Sequence, residues 1–175
     1  MSEVIKSADG LAANNRVLSM IEKLDVVRLA RADCTALRPI AEGQPVELTS
    51  GVHVTFHQQA GELVTRVRYE VSAAPSRLNT EDDDRPDTKA FWVINIEMSA
   101  HWELKQGAEV TADDARCFAI GQGLMTCHPY ARETIQSTSS RMGYPPATIN
   151  LLPNPWSQGD VELTSSNDKS EQPDT

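Results

Sequence analysis

Few residues of this chain are equipped for chemistry: four histidines, three cysteines and an acidic run from Glu81 to Asp84. His53 and His57 fall on one face of an alternating segment, because the side chains of a strand repeat every two residues. Two imidazoles on one strand face can begin a metal site, but such a site needs at least a third ligand and no spacing nearby supplies one. Cys127 and His128 are adjacent, so on a helix or strand they point apart and miss the roughly 3 Å contact of a nucleophile with its base. A thiol served by the distant His101 has no motif behind it. The run Glu81, Asp82, Asp83 and Asp84 lacks the alternate spacing, central glycine and closing Glu of a calcium loop and reads as a solvated loop. There is no Gly-rich phosphate loop, nucleophile elbow or zinc-finger spacing, and Gly-Gln-Gly at 121–123 is too short to signify one. The expectation is a protein that is not an enzyme, with no catalytic residue and no metal.

Composition narrows the partners. The chain has 175 residues, 16 basic against 25 acidic, for a net charge of −9. That length suits one domain with a self-sufficient core. The acidic balance argues against nucleic acid, which needs clustered Lys and Arg, and no apolar run approaches the ~18 residues of a membrane span. The start Met-Ser-Glu-Val-Ile-Lys lacks the basic-then-apolar order of a signal peptide. Cys34, Cys117 and Cys127 form an odd set without paired spacing, which fits a reducing compartment. A soluble, cytoplasmic protein without membrane insertion is expected.

The elements follow from periodicity. The first ten residues read as frayed, and Leu11 to Leu24 as a helix with Leu11, Val17, Leu18, Ile21 and Leu24 on one side. Asp25 to Leu37 reads as a strand of imperfect alternation, and Ile40 to Ser50, with Gly43 and Pro45, as a crossing segment. Three clearer strands come next: Val52, Val54 and Phe56; Leu63, Val67, Tyr69 and Val71; then Trp92 through Leu104 at every second position. The second and third follow a turn at Gln58–Gly61 and a polar loop at 75–88. This period of two, with one apolar and one polar face, predicts an antiparallel sheet covered on one side. Two helices can cover it: one starting near Thr111 and Asp114, which resemble a capping box, and one from about Pro129 to Met142, closed by Gly143 and Pro145. The tail after Trp156 reads as disordered.

A binding surface has more support than an active site. All nine aromatic residues lie between Phe56 and Trp156, and Phe91, Tyr130 and Tyr144 sit at junctions between elements. Leu37, Ile40, Val46 and Leu48 flank Pro39 and Pro45 in a segment too irregular to bury itself, while Met98, Met125 and Met142 add pliable side chains. Such residues suit recognition of apolar segments; equally, they could simply close the core.

The C-terminal half carries a resemblance. His-Pro-Tyr-Ala-Arg-Glu at 128–133, Arg-Met-Gly-Tyr-Pro-Pro at 141–146 and Ile-Asn-Leu-Leu-Pro at 149–153 resemble, in order and spacing, the SecB family of protein-export chaperones. Phe118 to Leu124 looks like that family's short helix, and the element order matches from about Asp25 to Pro153. The resemblance implies an α+β fold: a four-stranded antiparallel sheet with the C-terminal helices packed on one face, assembled as a homotetramer, a dimer of dimers. It divides the chain into an N-terminal extension with a short helix (1–24), a SecB-like domain (25–155) and an acidic tail (156–175). It implies no cofactor, and an ATP-independent holdase that keeps unfolded preproteins export-competent in apolar grooves and passes them to the motor SecA. The groove would comprise Leu37, Ile40, Val46, Leu48, Tyr130, Ile135, Met142 and Tyr144. Asp33 keeps one position of the family's acidic motor-docking face, but later ones fall on Leu37 and Ile94. The N-terminal helix and the segment Pro-Trp-Ser-Gln-Gly, in place of the family's last helix, are similar to SecB-like chaperones dedicated to the antitoxin of a toxin–antitoxin system, which is the alternative. An alternative of another class is an oligomeric scaffold or small-molecule binding protein.

Overall fold

The computed structural model describes residues 2–76, 90–150, 152, 155–158 and 161–164. In chain order these form β1 (Ser2–Ile5), α1 (Ser7–Met20), β2 (Ile21–Ala36), β3 (Val46–Gln59), β4 (Glu62–Pro75), β5 (Trp92–Leu104), α2 (Ala112–Phe118), a π turn (Ala119–Gly123), α3 (Leu124–Arg141), a 3-10 turn (Pro155–Ser157) and β6 (Val161–Thr164). The main sheet has four strands in the order β2-β5-β4-β3, every pair antiparallel. The polar loop with Glu81–Asp84 lies outside the described residues.

The core sits on one face of the central pair. Leu63, Val67, Tyr69 and Val71 of β4 and Trp92, Ile94, Ile96, Met98, Ala100 and Trp102 of β5 are buried there. α3 covers them with Leu124, Cys127, Ala131 and Ile135, spaced at three and four residues as one helical stripe demands. Its Ser- and Thr-rich half persists because the hydroxyls turn back on helix carbonyls: Thr134 Oγ1 donates to Tyr130 O at 2.8 Å and Ser140 Oγ to Gln136 O at 2.9 Å. Buried Ser139 also accepts from the N–H of Ala147 at 2.8 Å, tying the chain beyond the helix onto it.

Several boundaries differ from the sequence expectation. α1 ends at Met20, and Ile21 and Leu24 belong to β2, where they pair with Leu104 and Trp102; partners across a strand outweigh the weak helical spacing. The imperfect alternation of β2 comes from three register shifts, at Ile21/Lys23, Leu24/Val26 and Leu29/Arg31, as β-bulges produce. β3 starts at Val46, so the crossing segment shortens to 37–45. α3 begins five residues before Pro129, which sits inside it. There it removes the bond its N–H would have made to the Met125 carbonyl, so the helix-start position that would make this loss free is not the one it occupies. The expected cap holds: Thr111 Oγ1 accepts from Asp114 N–H at 3.2 Å.

The two ends of the chain depart furthest from expectation. Neither the frayed start nor the disordered tail describes residues 2–5 and 161–164, which pair as antiparallel β1 and β6 in a second small sheet. Trp156, 3% exposed, fills a socket between α1 and the π turn. Its Nε1 donates to Cys117 O at 3.2 Å, and Gln122 N–H donates to Asn14 Oδ1 at 3.1 Å. A π turn leaves backbone groups without their ordinary helical partners, and here α1 and Trp156 supply substitutes.

His128 joins three elements from inside the core. Its Nε2 lies 2.9 Å from Asn150 O and its Nδ1 3.2 Å from Tyr69 Oη. A carbonyl can only accept, so Nε2 carries the proton and Nδ1 accepts from the tyrosine. Burial, with Arg132 nearby, pushes the imidazole below its ordinary value of 6.5, although the Asn150 carbonyl works the other way. The unfolded chain therefore takes up a proton that the folded one resists. The stability this gives is whole above pH 6.5 and is lost as the pH falls through the depressed folded value. Urea midpoints should decline below pH 6.5, and the decline should be shallower in His128→Gln, whose amide does not titrate; parallel pH profiles in the two proteins would remove His128 from this role.

Candidate binding cleft

An open cleft lies where β2 ends, the crossing segment begins and α3 has just finished. Its volume is about 680 Å³, and it is lined by residues 36–44, Val46 and residues 142–145. Three local features build it. Pro39 and Pro45 bracket the crossing segment and cannot donate to a ladder. Gly43 takes φ +74° to turn it. At the far wall Gly143, φ +85°, ends α3 and swings Tyr144 back over the β5 start.

The carbonyl of Phe91 organises this region. It accepts from Leu37 N–H at 2.8 Å, from Arg38 N–H at 3.1 Å and from Tyr144 Oη–H at 3.0 Å. The Tyr144 hydroxyl also lies 2.9 Å from Arg38 O, and its ring sits 6.3 Å from that of Trp92. The Arg38 guanidinium stacks 4.7 Å above the Phe91 ring, a cation–π contact. Leu37 and Val46 are 54% and 38% exposed, while Ile40, Met142 and Tyr144 are partly buried against the core. The result is an open apolar trough with a hydrogen-bonded floor, suited to large uncharged side chains.

Of the eight expected groove residues, the cleft brings together Leu37, Ile40, Val46, Met142 and Tyr144. Leu48 and Tyr130 are exposed, on β3 and α3, outside the lining. Ile135 is corrected: it is fully buried under α3 and offers no surface to a ligand. A helical stripe marks which residues face inward but does not say where burial stops. The roles of Phe91's carbonyl and of Arg38's stacking carry no sequence signal, because any residue has a carbonyl.

Asp33 lies on the opposite, solvent-facing side of the sheet, bound by Arg31 Nε at 2.7 Å. Its surroundings alternate in sign: Arg68 pairs with Glu70 at 3.0 Å, Lys23 with Glu103 at 3.0 Å, and Arg28 Nε donates to Ser99 Oγ at 3.3 Å. His53 is on that side too, opposite Arg68, whose positive charge disfavours a cation beside it. Among the described residues no group of His, Cys, Asp and Glu could hold a metal ion. Cys127 is buried and its thiol pushed up to about 12, which leaves no thiolate for attack. His101 pairs instead with Glu62, at 2.7 Å, on the solvent-facing side. Among the described residues no helix is long and apolar enough to cross a membrane.

No family model matches this chain, and no curated protein matches its sequence. Among solved structures it is similar to the Rv1957 SecB-like chaperone of Mycobacterium tuberculosis, solved in complex with a ChAD peptide from the Rv1956 HigA1 antitoxin. The two superpose with a TM-score of 0.71 at 16% identity, over 82% of this chain and 99% of that one. The chain has the SecB-like fold. A protein of unknown function from Streptococcus agalactiae covers 86% of this chain and 99% of its own at 12% identity, but its TM-score of 0.28 is too low to argue from.

Proposed function

We propose that this protein is an ATP-independent chaperone that holds an extended apolar segment of another protein in the cleft, and that its dedicated client is the tail of an antitoxin. The observation that carries this reading is an open, apolar cleft of about 680 Å³ on a fold whose similar solved structure, the Mycobacterium tuberculosis chaperone, holds an antitoxin peptide. That volume takes two or three large side chains, which suits a short linear segment better than a folded surface.

Delivery of preproteins to SecA is the weaker alternative. A motor-docking face in the SecB manner needs net negative charge. Here Asp33, Glu70 and Glu103 are matched by Arg31, Arg68 and Lys23 at salt-bridge distance, so little field is left to steer a cationic partner. Leu24 and Leu29 stand exposed on the β2 flank of the core side of the sheet, which supports assembly into a homotetramer. Several clefts on one assembly would raise the effective concentration for each further contact with a client.

The test is a pair of titrations with the purified full chain. Binding to an antitoxin tail peptide, without measurable affinity for SecA, is expected. Tight SecA binding with no affinity for the antitoxin segment would reverse the assignment.

A further inference from the structure

The crossing segment is a wall tethered at its two ends. Its backbone is fixed to the body by Leu37 and Arg38 N–H on Phe91 O at one end and by Ser76 N–H on Pro45 O, 3.1 Å, at the other. Between them the backbone hydrogen bonds among the described residues close within the segment, Gln44 N–H donating to Ala41 O at 3.1 Å and Gln44 Oε1 accepting from Ala41 N–H at 3.3 Å, while the Ile40 side chain rests against the core. A segment that hydrogen-bonds to itself, carries a left-handed glycine and spends most of its residues exposed can move as a unit about its ends. One side chain crosses from the opposite wall to hold the first of those ends. The Tyr144 hydroxyl sits between Arg38 O, 2.9 Å, on the segment and Phe91 O, 3.0 Å, on the body.

We infer that residues 37–45 form a movable lid over the cleft and that the Tyr144 hydroxyl is its latch, so that Tyr144 governs client entry as a positioning residue, beyond any contact its ring makes. This rests on the proposed client-binding role of the cleft. The chemistry is specific to a phenol. A hydroxyl has one proton and two carbonyls within reach, so it can favour either one and pass between them as the segment shifts, at the cost of about one hydrogen bond. A phenylalanine would fill the same space against Trp92 and remove the hydroxyl's share in holding the first end, leaving the backbone bonds to Phe91 O and the Arg38 stacking in place.

The test uses the full chain with Tyr144→Phe, which keeps the ring. Hydrogen exchange of amides 37–45 should quicken roughly five- to tenfold, as loss of one partly buried hydrogen bond implies, with the β4 and β5 amides unchanged. A fluorescein-labelled unstructured peptide rich in Leu and Trp should associate several-fold faster with the variant. Unchanged exchange at 37–45 would overturn the latch whatever the peptide does. Faster exchange with an unchanged association rate would also overturn it, because the lid would then not control entry. If the unmodified protein binds no such peptide, the client-binding role fails, and this is told apart by the exchange data, which need no client.

Discussion

A Leu37→Asp chain should bind an apolar client segment about 30- to 1,000-fold more weakly while its thermal midpoint moves by no more than a few degrees. Leu37 is 54% exposed in the empty cleft, so a carboxylate placed there remains in water and costs the fold little; exposed substitutions of this kind are usually within about 0.5 kcal/mol. Its N–H continues to bond Phe91 O, since that contact is made by the backbone. Occupation of the cleft changes the balance. The carboxylate must then be stripped of water against apolar side chains without a partner, at roughly 2–4 kcal/mol, which is the stated loss of affinity. Fluorescence titration of a labelled peptide, with a melting curve on the same sample, reads both halves. Unchanged affinity would move the binding surface away from this cleft. The half-buried Ile40, packed against the core, is a poorer probe because a charge there confounds binding with folding.

Trp156→Ala should be the most damaging single change outside the main core. The indole is 3% exposed and fits only because Gly10 and Gly121 lack side chains. A Cβ on Gly10 would run into the six-membered part of the ring, and one on Gly121 would come 2.6 Å from Nε1. Emptying such a site costs about 3–5 kcal/mol, which lowers the melting temperature of a chain this size by roughly 6–20 °C. The Cys117 carbonyl loses its donor in the same step. Because the socket belongs to a satellite cluster with Ala13 and Cys117, the damage should concentrate in α1 and the π turn, with faster hydrogen exchange there before the sheet is affected. A melting temperature within a degree of the unmodified protein would mean that the Trp156 socket contributes nothing to stability.

The contrast between these two sites shows what was legible in the sequence. The sheet could be read from β4 and β5 because a covered face enforces a period of two, and Trp92 to Leu104 keep it without interruption. β2 blurred the same signal, since each of its bulges shifts the pattern by a residue and nothing local marks a bulge in advance. The cleft was half legible. Leu37, Ile40, Val46, Met142 and Tyr144 are apolar residues in segments that cannot bury themselves, and they do converge. Ile135 was misplaced because a helical stripe looks the same under a core as beside a groove. The joining of the two chain ends, through the Trp156 socket and the β1–β6 pair, was illegible. Its contacts join Gly10 to Trp156 and β1 to β6 across nearly the whole chain, and the polar, small-residue composition after Trp156 reads as disorder until the pairing partner at residues 2–5 is known.

The functional account depends on one contact, that of a client segment with the cleft wall. It is tested most directly by placing a photo-crosslinking amino acid at position 37, and separately at Thr55 on the solvent-facing side of the sheet, then irradiating each with an unstructured peptide rich in Leu and Trp. Crosslinking from position 37 and none from position 55 is the predicted result. Crosslinking from position 55 alone, or from neither, would contradict the assignment of the cleft as the client site.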